Sequence, residues 1–164
     1  MEKADIRVRF TRKVLQGSLL SLMKEKSILK ITIKEICEVA GLSRSTFYTY
    51  YKDQYDLLRE IEEETLIIAD KIIQPYKSRA YKSGKSEAFA IFQDMLQFIA
   101  DNSNSIQVLL SENGDNAFQK KFFFHSIEAV RNFIESTRGR TGNEKDLKYS
   151  YIFMIGGIFT LVQE

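Results

Sequence analysis

A single proline, Pro75, stands in 164 residues, and only eight glycines accompany it. These two residues are the strongest interrupters of regular backbone, so a chain this short of them is free to run in long helices. The apolar residues agree. Leu15, Leu19, Leu22 and Met23 recur at helical spacing, as do Phe89, Phe92, Leu96 and Ile99, and then Phe123, Ile127, Val130 and Ile134. No stretch alternates in the manner of a strand, and no segment repeats. The chain therefore reads as all-α.

The punctuation places the elements. A first helix is expected from Asp5 to Lys26, interrupted by Lys30-Ile31-Thr32. Thr32-Ile33-Lys34-Glu35 has the form of a capping box, in which the threonine accepts from a first-turn amide while the glutamate reaches back. The short second helix puts Ile33, Ile36, Cys37 and Ala40 on one face and ends at Gly41, a natural left-handed cap. Ser43 caps a third helix with Phe47 and Tyr51 inward. Asp53 caps a fourth, whose stripe of Leu57, Leu58 and Ile61 continues to Ile73 and is expected to end at Pro75. Lys77–Lys85 reads as a loop, Ser86–Asn102 as a fifth helix, Asp101–Asn104 and Glu112–Asp115 as turns around the apolar run Ile106–Leu110. Asn116–Ser136 reads as a long helix. A final helix opens near Glu144; no cap or polar tail follows Leu161–Glu164, so it is expected to continue beyond the last residue.

Composition removes several classes of function. With one cysteine, Cys37, and one histidine, His125, neither an intramolecular disulfide nor a zinc-type cluster can be assembled. No nucleophile–base pair, phosphate-binding glycine loop or paired carboxylate stands at a recognisable spacing, so an enzyme is not expected, nor a cofactor or metal. The most apolar run, Tyr149–Val162, is shorter than the roughly 20 residues a membrane span needs, and the N-terminus carries no secretory pattern. A cytoplasmic protein is expected. Net charge is only +2, but residues 1–60 hold twelve Lys/Arg against eight Asp/Glu, while 61–164 hold twelve against fourteen. A basic first third on a mildly acidic remainder suggests two modules with different partners.

Residues 33–51 carry the chemistry. Helix, tight glycine turn, helix is the punctuation of a helix-turn-helix, whose second helix enters a major groove about 12 Å wide. Ala40 and Gly41 supply the small residues where two helices meet, and Ile36, Leu42 and Phe47 the apolar anchors. The exposed face of the second helix would hold Arg44, Ser45, Thr46, Tyr48, Thr49 and Tyr50. Hydroxyls suit phosphate oxygens, and Arg44 suits guanine or a phosphate. Each has a plainer reading: Thr32 and Ser43 as caps alone, Tyr48 as a half-buried core tyrosine, Arg44 as a solvated charge. Arg7, Arg9 and Arg12 could touch DNA or form only a solvated charge run. Cys37 fits a small buried hydrophobe.

At these residues the chain resembles the TetR family of regulators. The resemblance rests on Thr32-Ile33-Lys34-Glu35-Ile36, Ala40-Gly41-Leu42-Ser43 and Thr46-Phe47-Tyr48-Thr49-Tyr50-Tyr51, with Leu15, Ser18, Leu19, Leu22 and Met23 fitting the first-helix pattern; it is ungapped between Thr11 and Leu58. Ser27 stands where the family commonly has glycine. Gln54 stands where a phosphate-touching lysine usually opens the fourth helix, with Lys52 near enough to substitute. The resemblance implies an N-terminal three-helix bundle with the helix-turn-helix, residues 1–52, and a C-terminal antiparallel helical bundle, residues 53–164, truncated at its C-terminus. It implies a homodimer on double-stranded DNA, a ligand-responsive repressor on a palindromic operator, with DNA contacts from Thr32, Ser43, Arg44, Ser45, Thr46, Tyr48, Tyr50 and Lys52. The turn Leu110–Asp115 followed by Phe118 is similar to a subgroup that includes regulators of dihydroxyacetone-kinase operons. A small-molecule effector is expected in the C-terminal bundle, where Phe89, Phe92, Phe123 and His125 could line a cavity or serve as core and surface residues. The last helix, apolar nearly all round, is expected to pair with a second copy. The rival reading is a TetR-like adaptor or coactivator that acts through a protein partner.

Overall fold

The structure, a computed structural model, describes residues 2–77, 93–94 and 96–124, together with Tyr149, Phe153, Gly156, Gly157 and Thr160. Every regular element among them is helical: α1 Glu2–Met23, a 3₁₀ turn Ile28–Lys30, α2 Ile33–Ala40, α3 Arg44–Tyr50, α4 Gln54–Lys77 and α5 Ser103–Leu110. Residues 96–101 and 116–124 are helical as well. The fold is all-α, with an N-terminal helix-turn-helix domain and a C-terminal helical domain. The chain divides into two compact units, one of Met1–Glu64 with Val108–Asp115, the other of Thr65–Gln107 with Asn116–Glu164.

The first unit is built on side chains that are almost wholly shielded. Leu15, Leu19 and Met23 of α1, Ile31, Ile36 of α2, Phe47 of α3 and Leu57 of α4 all lie below 2 % exposure or at it. Burying each contributes about 1.5–3 kcal/mol relative to leaving it in water. The α1 stripe follows the sequence spacing, and the helix stops at Met23, three residues earlier than expected. Its end tightens instead: the Glu25 and Lys26 amides both donate to Leu22 O, at 3.1 and 3.2 Å. Ser27 then caps the 3₁₀ turn with φ −58° and its hydroxyl accepting from the Leu29 amide. That φ is open to any residue, so the glycine of the family pattern is dispensable here.

Local signals were accurate where partners lie within one turn. Thr32 and Glu35 form the capping box: the Glu35 amide donates to Thr32 Oγ1 at 3.3 Å, and the Thr32 amide to Glu35 Oε2 at 2.9 Å. Gly41 closes α2 at φ +64°, and the Leu42 amide beyond it donates to Cys37 O at 3.0 Å. Asp53 caps α4 by accepting from the Asp56 amide at 2.7 Å.

Two expectations fail in the second half. Pro75 does not end α4, which runs on to Lys77. A proline removes one amide donor and crowds the preceding turn, a local cost of about 3 kcal/mol that interrupts a helix without obliging it to stop. The expected turn at Asp101–Asn104 shrinks to Asn102, and the apolar run becomes α5 from Ser103. Asn102 spans the break itself: its amide and its Nδ2 both donate to Phe98 O, while its carbonyl accepts from Ser105 and Ile106. The Glu112–Asp115 turn is present, and Gly114 is required there, because a Cβ would stand 2.1 Å from Leu109 O. The loop at 78–85, most of the fifth helix, the end of the long helix past 124 and most of the final helix lie outside the described residues.

Candidate nucleic-acid interface

α3 is seven residues long and divides its side chains cleanly. Phe47 is fully buried, and Tyr51, its C-cap, is 3 % exposed. Their rings meet at 5.7 Å between centroids. The opposite face holds Arg44, Ser45, Tyr48 and Thr49, all exposed, with Thr46 and Tyr50 half-buried at its margins. This is the division a groove-reading helix needs: anchors on one side, donors on the other.

The N-terminal end of α3 is a hydroxyl cluster. Ser43 Oγ accepts from the Thr46 amide at 3.1 Å and lies 2.7 Å from Ser45 Oγ and 2.9 Å from Thr46 Oγ1. Three hydroxyls thus fix one another in place. Thr49 is committed differently, donating to Ser45 O at 3.0 Å. Tyr48 stands edge-on to Phe47, centroids 5.7 Å apart, which props its ring outward at 57 % exposure. Tyr50 leans on Tyr51 at 6.4 Å. Arg44 makes no ion pair with any described residue, and the Tyr48 hydroxyl finds no partner among them. An unpaired guanidinium and a free phenol on one face of a rigidly capped helix can donate to phosphate oxygens and to base edges.

Flanking residues are less free. The Thr32 hydroxyl donates to Glu35 Oε2 at 2.8 Å, so its proton is spent inside the capping box. Lys26, 2.5 Å from the other oxygen, the Thr32 amide and the Thr32 hydroxyl hold the Glu35 carboxyl at about 2, below its ordinary value. Lys52 is exposed; its amide donates to Asp56 Oδ2 at 3.1 Å while its ammonium carries no ion pair among the described residues. Gln54 opens α4. Cys37 is buried in the α2 face, which pushes its thiol up.

Arg12 is not part of a free basic arm. It pairs with Glu60 of α4 through its terminal nitrogen, and its Nε donates to Glu60 Oε1 at 3.2 Å. Glu60 Oε1 also accepts from Gln16 Nε2 at 2.8 Å and from the Tyr51 hydroxyl at 2.7 Å. Burial alone would push the Glu60 carboxyl up, but Arg12, Tyr51 and Gln16 outweigh it and hold it below its ordinary value. Sequence reasoning missed this cluster. Its one signal was Arg12 and Gln16, two polar residues a helical turn apart beside the apolar stripe. Arg7 and Arg9 remain exposed on α1.

Of the candidate effector residues, Phe123 is described and is 40 % exposed. Phe89, Phe92 and His125 lie outside the described residues. No group of metal-ligating residues occurs among the described residues, and no described helix is long and apolar enough to cross a membrane.

Comparison with known proteins agrees with this geometry. The family described as "Bacterial regulatory proteins, tetR family" matches residues 19–61, which contain α2, α3 and the start of α4. A second family, "Transcriptional regulator C-terminal region", matches residues 86–164. A solved TetR transcriptional regulator from Streptococcus agalactiae 2603V is similar in fold, with TM-score 0.61 and 20% identity over 99% of this chain and 85% of that one. The dihydroxyacetone kinase operon activator DhaS is also similar, with TM-score 0.54 and 17% identity over 93% of this chain and 82% of that one. The chain belongs to the TetR family of DNA-binding transcriptional regulators.

Proposed function

We propose that the protein is a ligand-responsive repressor that binds a palindromic operator as a homodimer in the cytoplasm, by binding rather than by catalysis. The observation that carries the DNA half of this reading is that Arg44 and Tyr48, on the outer face of a helix capped at both ends, are unpaired among the described residues. In this reading residues 1–52 form the reading head. Arg44 addresses a base edge, and Ser43, Ser45, Thr46, Tyr48, Tyr50 and Lys52 address phosphates, while Thr32, whose hydroxyl and amide both donate to Glu35, serves the head as its capping residue.

Residues 53–164 take the second role, effector binding and dimerisation. Tyr149, Phe153, Gly156, Gly157 and Thr160 follow one another at helical spacing and are all exposed, Phe153 at 83 %. A Cβ at Gly156 or Gly157 would meet nothing within 4 Å. An aromatic stripe beside two glycines suits close packing against a second copy, and a two-fold dimer suits a palindrome with half-sites roughly 34–36 Å apart. The abundance of phenylalanine in this half supports an apolar effector cavity, with Phe89, Phe92, Phe123 and His125 as candidate lining.

The decisive experiment is selection of bound duplexes from a random-sequence pool by the whole chain. Enrichment of one inverted repeat is the expected result. Recovery of no sequence, with a protein partner captured instead, would favour the adaptor reading.

A further inference from the structure

The recognition helix and its C-cap bury two side chains, Phe47 and Tyr51, and the second ends on an acidic residue of another helix. α3 is held at its N-terminal end by the Ser43 cap and in its middle by Phe47. Its C-terminal end is held by Tyr51, whose buried hydroxyl donates to Glu60 Oε1 at 2.7 Å. The same carboxylate takes Gln16 Nε2 at 2.8 Å and the Arg12 guanidinium, both from α1. One side chain on α4 therefore ties the C-cap of the recognition helix to α1. Base-edge hydrogen bonds hold only over a few tenths of an ångström, from about 2.7 to 3.2 Å. A helix of seven residues that loses one of its end anchors can pivot by more than that.

We infer that Glu60 is a positioning residue for operator reading: by holding the Tyr51 hydroxyl against α1, it sets the angle at which α3 presents Arg44 and Tyr48 to DNA. The inference rests on the DNA-binding reading of that face. It makes a claim opposite to simple electrostatics, under which removing an acidic side chain from a basic DNA-binding head should strengthen binding to every sequence. Glu60 touches no DNA in this arrangement. It acts through Tyr51, so its effect falls on the discrimination between sequences.

The test uses the full chain and two duplexes: the one that wild-type protein enriches from a random pool, and a scrambled duplex of the same composition. The readout is the ratio of the two dissociation constants. Partial unfolding lowers both affinities together and leaves that ratio unmoved. Tyr51→Phe and Glu60→Leu should each lower the ratio about tenfold, the loss of one charge-assisted hydrogen bond. Glu60→Gln keeps an acceptor for Tyr51 and should hold the ratio within about threefold of wild type. The double variant Tyr51→Phe/Glu60→Leu should be no worse than either single one, because both break the same contact. An unchanged ratio in Tyr51→Phe overturns the inference, as does equal tightening on both duplexes in the two Glu60 variants. If Glu60→Leu fails to fold, Tyr51→Phe decides alone, since it removes one hydroxyl and keeps the ring. A wild-type chain that enriches no duplex overturns the DNA reading beneath it, a separate and recognisable outcome.

Discussion

Lys26 and Glu35 meet at 2.5 Å across the turn between α1 and α2, and Glu35 at the same time closes the capping box on Thr32. A single carboxylate thereby fixes where the helix-turn-helix begins. Because these contacts favour the ionised form, the folded-state carboxyl sits at about 2, below its ordinary value of 4.5. A depressed folded value means the stabilisation is full above the unfolded value and lost as pH falls through the folded one. Acid titration of the wild-type chain should therefore show stability falling between about pH 4.5 and pH 2. Glu35→Gln should be less stable at neutral pH and should lose part of that acid slope. Urea midpoints at a series of pH values measure both; parallel curves for the two proteins would remove Glu35 from the account.

Gly41 holds φ +64° at the α2–α3 turn with open space around it. Gly41→Ala meets no clash, so its cost is the backbone conformation alone, about 1–2 kcal/mol. Thermal unfolding should show this loss. A stabilised variant would mean that the turn relaxes to another conformation.

Gly114 presents the opposite case, ordinary in φ but crowded by Leu109 O at 2.1 Å from a Cβ. Gly114→Ala must displace backbone rather than a flexible side chain. It should destabilise by on the order of 2 kcal/mol or more, read from denaturant midpoints.

Arg44 and Tyr48 should separate by the kind of affinity they supply. If Arg44 pairs with a base, Arg44→Ala costs about 1–3 kcal/mol on the selected duplex and relaxes preference at one position. Tyr48→Phe should weaken all duplexes alike, because a phosphate contact carries no sequence information. Titrations against single-base variants of the selected site distinguish the two patterns; indifference to both substitutions would remove the face from the interface.

Phe153 is the most exposed large apolar side chain described, at 83 %. Phe153→Glu should leave the folded protomer intact and shift a dimer towards monomer in sedimentation. A wild-type chain that stays monomeric at micromolar concentration contradicts the pairing.

The sequence by itself determined those parts of the molecule whose hydrogen bonds close within one helical turn. Thr32 with Glu35, Ser43 with Thr46, Asp53 with Asp56 and the left-handed Gly41 are all pairs or positions no more than four residues across, so residue type and spacing suffice to place them. The division of α3 into buried Phe47 and exposed Arg44 and Tyr48 follows from helical periodicity alone. Only the tertiary structure decided what Arg12 does. Its partners Tyr51 and Glu60 lie 39 and 48 residues along the chain, and sequence spacing carries no signal over such distances. It likewise decided that α4 passes through Pro75 and that α5 begins at Ser103. Propensity is a weak bias of a fraction of a kcal/mol to about 3 kcal/mol per residue, so residue type alone does not set either boundary.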